Sequence, residues 1–276
     1  MNVNKPGQKI KRILVLARGE LAENIFKSAQ ELMIESVAIE SDTSDLEKIL
    51  KVADEFKVDA IYPGPGRFAS DPSFAEEVEN RGIIFIGPTP DSLRIVCDQH
   101  ATRELASELG IKVFALTQST TEIKVQVISD GKGNHFHLFE VEYQKNSATA
   151  TAPSPSLTAL RPEVRLHIHA AAIRLITSIN YRGVGQVIFE LSLEEGGTFC
   201  FKEIVPLLSP EYKMIEKILG IDLIGWQLKV AEGEELPWKQ REILQELSGS
   251  ATITLPEFFH TPPQVREQGF TNFRNV

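Results

Sequence analysis

The chain has 276 residues, a formal net charge of −9, 42% hydrophobic and 24% charged residues, enough to bury a substantial core in one large or two modest domains. The acidic balance and scattered Lys and Arg exclude a broad nucleic-acid surface. No apolar run is long enough to span a bilayer, and the polar, basic start MNVNKPGQKIKR lacks the apolar stretch of a secretory signal.

RILVLA, residues 12–17, is an apolar run of strand length, and the helical pattern that follows puts Leu21, Ile25, Phe26, Ala29 and Leu32 on one face. SVAIESD reads as a second strand, DLEKILKVADEFK as a second amphipathic helix, and DAIYPG as a third strand ending at the loop PGPGRFASDPS. The helix FAEEVENRG, the strand IIFIG and one helix over DSLRIVCDQHATRELASELG complete a βα alternation, which predicts a parallel sheet covered on both faces over residues 1–115. From Thr117 the pattern changes. A hairpin turns at Asp130–Gly133, the Pro- and Ser-rich ATATAPSPSLTALRP is extended or loop, and PEVRLHIHAAAIRLITSI is a long helix. QVIFELSL and TFCFKEI form a second hairpin, DLIGWQLKVAEG and WKQREILQELSG are helical, and ATITLP is a short strand. Residues 116–257 are thus α+β, and 258–276 form an irregular tail.

Several side chains invite a functional reading. His135 and His137 share a strand face at ligand-like spacing, but with no third ligand nearby a solvated hairpin face is the expectation. His167 and His169 point to different sides of their helix. Cys97 and Cys200, too few for a disulfide framework, are expected as small buried residues in a cytoplasmic protein. Arg18-Gly19-Glu20 reads as a helix start rather than an anion site.

Six stretches, in order and across nearly the whole chain, resemble biotin carboxylase: ILVLARGELAENI, IYPGPGRFASDPSFAEEVENRGIIFIGPTPDSLR, VQVISDGKGN, APSPSL followed by INYRGVGQVIFEL, TFCFKEI, and GIDLIGWQLKVAEGEELP. The resemblance implies an ATP-grasp protein: a Rossmann-like α/β domain, then an α+β catalytic domain. The family's chemistry forms carboxyphosphate from ATP and bicarbonate and carboxylates protein-linked biotin. The mobile lid that closes over ATP in the family has no counterpart, because VFALTQST passes almost directly into EIKVQV.

Carried over position by position, the resemblance implies loss. A phosphate-binding lysine falls at Gln99, and one metal-binding carboxylate falls at Ile188. Glu203 matches the other metal ligand, and an asparagine two residues on becomes Val205. Glu190, on the face of Ile188 but ~7 Å further along the strand, is the one displaced carboxylate on offer. In EIVPLLSPEYKMIE the bicarbonate-binding arginine falls at Leu207, a neighbouring glutamine at Ser209 and an amide donor at Pro210, which has no N–H. Glu211 keeps the place of the general base, and the arginine that steadies the biotin enolate falls at Leu255. Pro65, where the family has tyrosine, makes the PGPGR loop a rigid connection.

A scaffold stripped of cations at several separate steps cannot hold a triphosphate beside a carbonate anion. The expectation is a non-catalytic biotin-carboxylase-like protein without bound cofactor or metal. It would act as a structural or regulatory partner of a biotin-dependent carboxylase or related complex, or pair with itself as a homodimer. Two alternatives stand beside it: a minimal ATP-dependent carboxylase or ligase needing ATP and Mg²⁺, and a small-molecule-binding module using an apolar cleft formed by Leu207, Val205, Ile188 and Leu255.

Overall fold

The computed structural model describes residues 8–39, 45–113, 121–144, 154–155, 160–192, 197–243 and 274–275. Strands β1 (Arg12–Val15), β2 (Glu35–Ala38), β3 (Ala60–Tyr62) and β4 (Ile84–Phe85) pair in parallel in the order β2-β1-β3-β4, joined by helices α1 (Gly19–Glu31), α2 (Leu46–Phe56) and α3 (Pro72–Asn80). Parallel strands covered on both faces need near-continuous apolar sequence. Ile13 and Val15 accordingly turn to one core cluster and Leu14 to another, all at 0% exposure. Asp45 and Asp71 start α2 and α3 by accepting bonds from the second and third backbone N–H groups beyond them.

The single helix expected over DSLRIVCDQHATRELASELG is two, α4 (Pro90–Val96) and α5 (Gln99–Glu108). Asp98 explains the correction: its carboxylate caps His100 and Ala101, which starts a new helix rather than continuing the old one.

The second sheet is antiparallel, in the order β7-β6-β5-β8-β9: β5 (Thr121–Asp130), β6 (His135–Gln144), β7 (Ser154–Pro155), β8 (Arg182–Ser192) and β9 (Thr198–Val205). Helix α6 (Pro162–Ser178) covers one face through Ile168, Ala172 and Leu175, against Val125, Val127, Val187 and Phe189. The opposite face is apolar at Ile128 and Val184, where it joins the cluster containing β1, α1, α7 (Tyr212–Leu219) and α8 (Leu223–Ala231). Its other end, around Glu122 and Lys124, is charged. Helix α7 was not expected from the sequence, although Tyr212, Ile215, Ile218 and Leu219 carry the helical spacing. The tail expected to be irregular places Arg274–Asn275, β10, parallel to β2 at the edge of the first sheet. The strand expected over ATITLP lies outside the described residues.

The two sheets are tied to each other. Arg182, first in β8, donates from Nε to Gly87 O (2.9 Å) and from Nη2 to Phe85 O (3.0 Å) and Glu79 Oε1 (3.1 Å). Tyr62 at the end of β3 donates to Gln227 of α8 at 2.7 Å.

Candidate functional site

Strand alternation and one irregularity build the charged face. In β8, Ile188 stands opposite Lys124 and Glu190 opposite Glu122 of β5, so these four share a side of the sheet. On β9, Ile188 pairs with Glu203 but Phe189 pairs with Phe201, leaving Lys202 as the extra residue of a bulge. Phe201 and Ile204 both reach the core under α6, three residues apart, so Lys202 and Glu203 both face the other way. The Lys202 ammonium reaches Glu122 Oε2 at 2.5 Å and lies 3.8 Å from Glu203 Oε1, while Lys124 Nζ is 3.5 Å from Glu122 Oε1.

Electrostatics follow the geometry. Burial works against the charge on Glu122, but the bond and charge of Lys202, with Lys124 behind them, outweigh it and hold its pKa below the ordinary value. The bond to Glu122 raises the Lys202 pKa against some burial, assisted by the charges of Glu122, Glu203 and Glu190.

Ile188 is buried (5% exposed) directly opposite Glu203, and Val205, opposite Gln186, continues the same face. Glu190 is opposite Cys200, in the second register pair beyond the bulge from Glu203. The segment after β9 is held by two glutamines: Gln186 Nε2 donates to Leu207 O (3.4 Å), and Gln126 Oε1 accepts from Ser209 N (3.3 Å). Ser209 is 4% exposed. Pro210 is exposed in the turn before α7, and Glu211 immediately precedes that helix with its Oε2 enclosed by the fold. Gln99 is elsewhere, beside His100 and Arg103 on α5, in an open depression at the surface. Leu255 lies outside the described residues.

The apolar cleft expected from Leu207, Val205, Ile188 and Leu255 includes one residue, Leu255, outside the described ones. The cavity between the two halves holds Leu207 together with Pro206, Leu208 and the Pro63–Pro65 loop, and neither Ile188 nor Val205 lines it. Its volume is about 30 Å³, room for about one water. The loop behaves as a rigid wall: Gly64 has φ +65°, and a Cβ there would sit 2.3 Å from Leu16 O.

Two expectations about titratable side chains are overturned. His137 is not on a solvated face but 7% exposed between β6 and α6, its ring stacked 3.9 Å from that of His169. His169 Nε2 meets Glu140 Oε2 at 2.7 Å, and Arg165 Nε donates to Glu140 Oε1 at 2.6 Å. The sequence reading missed this group because it paired His137 with His135 along the strand; the helix opposite, carrying Arg165 and His169 four residues apart, is what completes it. His135 instead bonds Ser129 at 2.7 Å, and His167 is exposed. Cys200 is buried as expected, but Cys97, at the end of α4, is exposed.

Comparison with known proteins fits this architecture. Residues 98–239, just over half of the chain, match the family described as the carbamoyl-phosphate synthase L chain ATP-binding domain, and residues 42–93 match the biotin carboxylase N-terminal domain. The chain belongs to the biotin carboxylase family. Among its relatives, Bacillus subtilis pyruvate carboxylase is 28% identical over 87% of this chain and 29% of its own length. The mitochondrial methylcrotonoyl-CoA carboxylase subunit alpha of Rattus norvegicus is 26% identical over 86% and 46%, and the chloroplastic biotin carboxylase 2 of Populus trichocarpa 28% over 86% and 62%. The chain therefore spans less than two thirds of each of these curated relatives. The first match runs to 336 positions, more than the 276 residues here, so part of the relative's matched stretch has no counterpart. The bicarbonate-bound biotin carboxylase domain of a thermophilic 2-oxoglutarate carboxylase superposes with a TM-score of 0.77 over 85% of this chain and 72% of that one, at 22% identity, a likeness of fold.

The divalent cation that the biotin carboxylase family implies does not fit this face. Ile188, where the resemblance implies one ligand, has no donor atom, and an ammonium group stands 3.8 Å from the carboxylate of Glu203, where it implies the other. Among the described residues no group of three His, Cys, Asp or Glu side chains is arranged to hold a metal. No helix among them is long and apolar enough to cross a membrane.

Proposed function

We propose that this chain is a non-catalytic member of the biotin carboxylase family that works by protein contact, as a structural or regulatory partner of a biotin-dependent carboxylase or related complex. The observation that carries the reading is the pairing of Ile188 with Glu203 beneath the Lys202 ammonium. Where a metal and a phosphate chain would have to meet, one acid is missing and a fixed cation is present. Leu207 and Pro210 support the same reading, since neither offers a positive charge or an N–H to a small anion. Residues 109–120, between α5 and β5, are too few for a lid, which as a domain would need ~50 residues. A relative described as a carboxylase subunit supports a role inside an assembly.

A minimal ATP-dependent ligase would have to fix a triphosphate without the lysine replaced by Gln99. A cleft-binding module would have to open a cavity of about 30 Å³ that is walled by prolines and Gly64. Titration calorimetry of the purified chain with MgATP is expected to give no heat of binding at millimolar nucleotide, and saturable binding would overturn the non-catalytic reading. Affinity capture of the tagged chain from its own cells is expected to recover carboxylase subunits or their biotin carrier. Recovery of neither would remove that class of partner.

A further inference from the structure

The charged face has an arrangement that loss of ligands alone does not explain. Lys202 starts on β9 and ends on Glu122 of β5, two strands away across β8, ~10 Å at ordinary strand spacing. To do so it uses the bulge, which turns it to the same side as Glu203 rather than into the core under α6. The ammonium ends bonded to one carboxylate and 3.8 Å from another, above Ile188, which is only 5% exposed. Glu190 adds a third negative charge within electrostatic reach, and Lys124 shares Glu122 from its other oxygen. Among the described residues, two ammonium groups thus stand against three carboxylates.

We infer that Lys202 is a resident cation of this face, taking the place that a divalent metal would need between Glu122 and Glu203, so that the face carries its own counter-ion and rejects free metal ions. The inference deepens the non-catalytic reading and rests on it: the face is closed by an internal counter-ion rather than merely deprived of a ligand. A positive group within 4 Å of the same oxygens opposes a second cation electrostatically and occupies its coordination space. Replacing the ammonium by a neutral group removes that opposition and leaves the negative charges of Glu122, Glu190 and Glu203 with Lys124 as their counter-charge among the described residues, so that a free cation is drawn to the face rather than repelled from it.

The test is Mn²⁺ binding by the full chain, without nucleotide, followed by electron paramagnetic resonance of the free ion. The native protein and Lys202→Arg are expected to bind no Mn²⁺ at this face at millimolar metal. Lys202→Met, which keeps the aliphatic stem, and Lys202→Gln should each gain affinity by about tenfold or more, and adding Glu203→Gln should abolish the gain. Circular dichroism establishes that each variant is folded. Mn²⁺ bound by the native chain and lost on Glu203→Gln overturns the inference, and this holds even if a neutral variant fails to fold. Folded Lys202→Met and Lys202→Gln that gain nothing overturn it too, while leaving the non-catalytic reading standing. ATP turnover by the native chain would instead remove that reading.

Discussion

The imidazole of His137 lies 3.9 Å from that of His169, enclosed by β6 and α6. Burial first, and the neighbouring His169 second, push its pKa down from 6.5 to about 3. The groups facing it from α6 are His169 and, through Glu140, Arg165; Glu140 is on its own strand. A depressed folded-state pKa means that the unfolded chain takes up the proton first. The stability is fully present above pH 6.5 and is lost as the pH falls toward 3, by about 1.4 kcal/mol per pH unit for one proton. His137→Phe keeps an aromatic ring against His169 and removes the titration, so urea unfolding at several pH values between 6.5 and 4 should show a slope shallower by one proton. An unchanged slope would mean that His137 is not held neutral. The thiols give a second expectation at this scale. Cys97 is exposed but its pKa is raised, by burial of the sulfur and then by Asp71, and Sγ points at Ser70 O, 3.2 Å away. A disulfide reagent should label one thiol per native chain, more slowly than a free cysteine, and both after unfolding; labelling of two in the native state would contradict the burial of Cys200. Neither the position of His137 nor that of Cys97 was legible in the sequence. Alternation says which side chains share a face, not which face is covered, and the end of a short helix can fall on either side of the surface.

At the scale of elements, the two sheets are held in register by few, specific bonds. Arg182, with its side chain 17% exposed, is bonded to two carbonyls at the end of β4 and to the Glu79 carboxylate of α3. Arg182→Ala should cost about 2–3 kcal/mol, read as a lower urea midpoint. A loss within a few tenths of a kcal/mol would show that the halves dock by apolar contact alone. Gly64→Ala should cost at least ~1–2 kcal/mol for a left-handed backbone with a side chain, before the clash with Leu16 O is counted. Helices and strands with strong periodicity were legible, as were the caps that start them once read individually: Asp98 was the visible signal that one predicted helix is two. Helix α7 was hidden because EYKMIEKILG sits beside motif residues read for chemistry rather than for spacing. The bulge at Lys202 had no sequence signal. A strict alternation would have sent Lys202 to the face opposite Glu203, and with it the ion cluster would vanish.

Across the whole molecule, the order of strands and helices was readable because parallel and antiparallel sheets demand different apolar patterns, and because six motifs in order resemble biotin carboxylase. The fold then pairs Ile188 with Glu203 and carries Val205 on the same face, while Gln99 lies on α5 in a surface depression. What the sequence could not convey is that the Pro63–Pro65 loop walls the small cavity beside Leu207, since the shape of a cavity depends on how two halves dock. The fold is that of the biotin carboxylase family, and on the proposed reading the Lys202 ammonium and apolar Ile188 stand on the face where the family resemblance implies bound anions and metal. The most direct test of this account is ATP hydrolysis by the purified chain alone, with Mg²⁺, in the presence and absence of bicarbonate. The account predicts a rate equal to the protein-free control in both; Mg²⁺-dependent hydrolysis that bicarbonate stimulates and Glu211→Gln abolishes would contradict it.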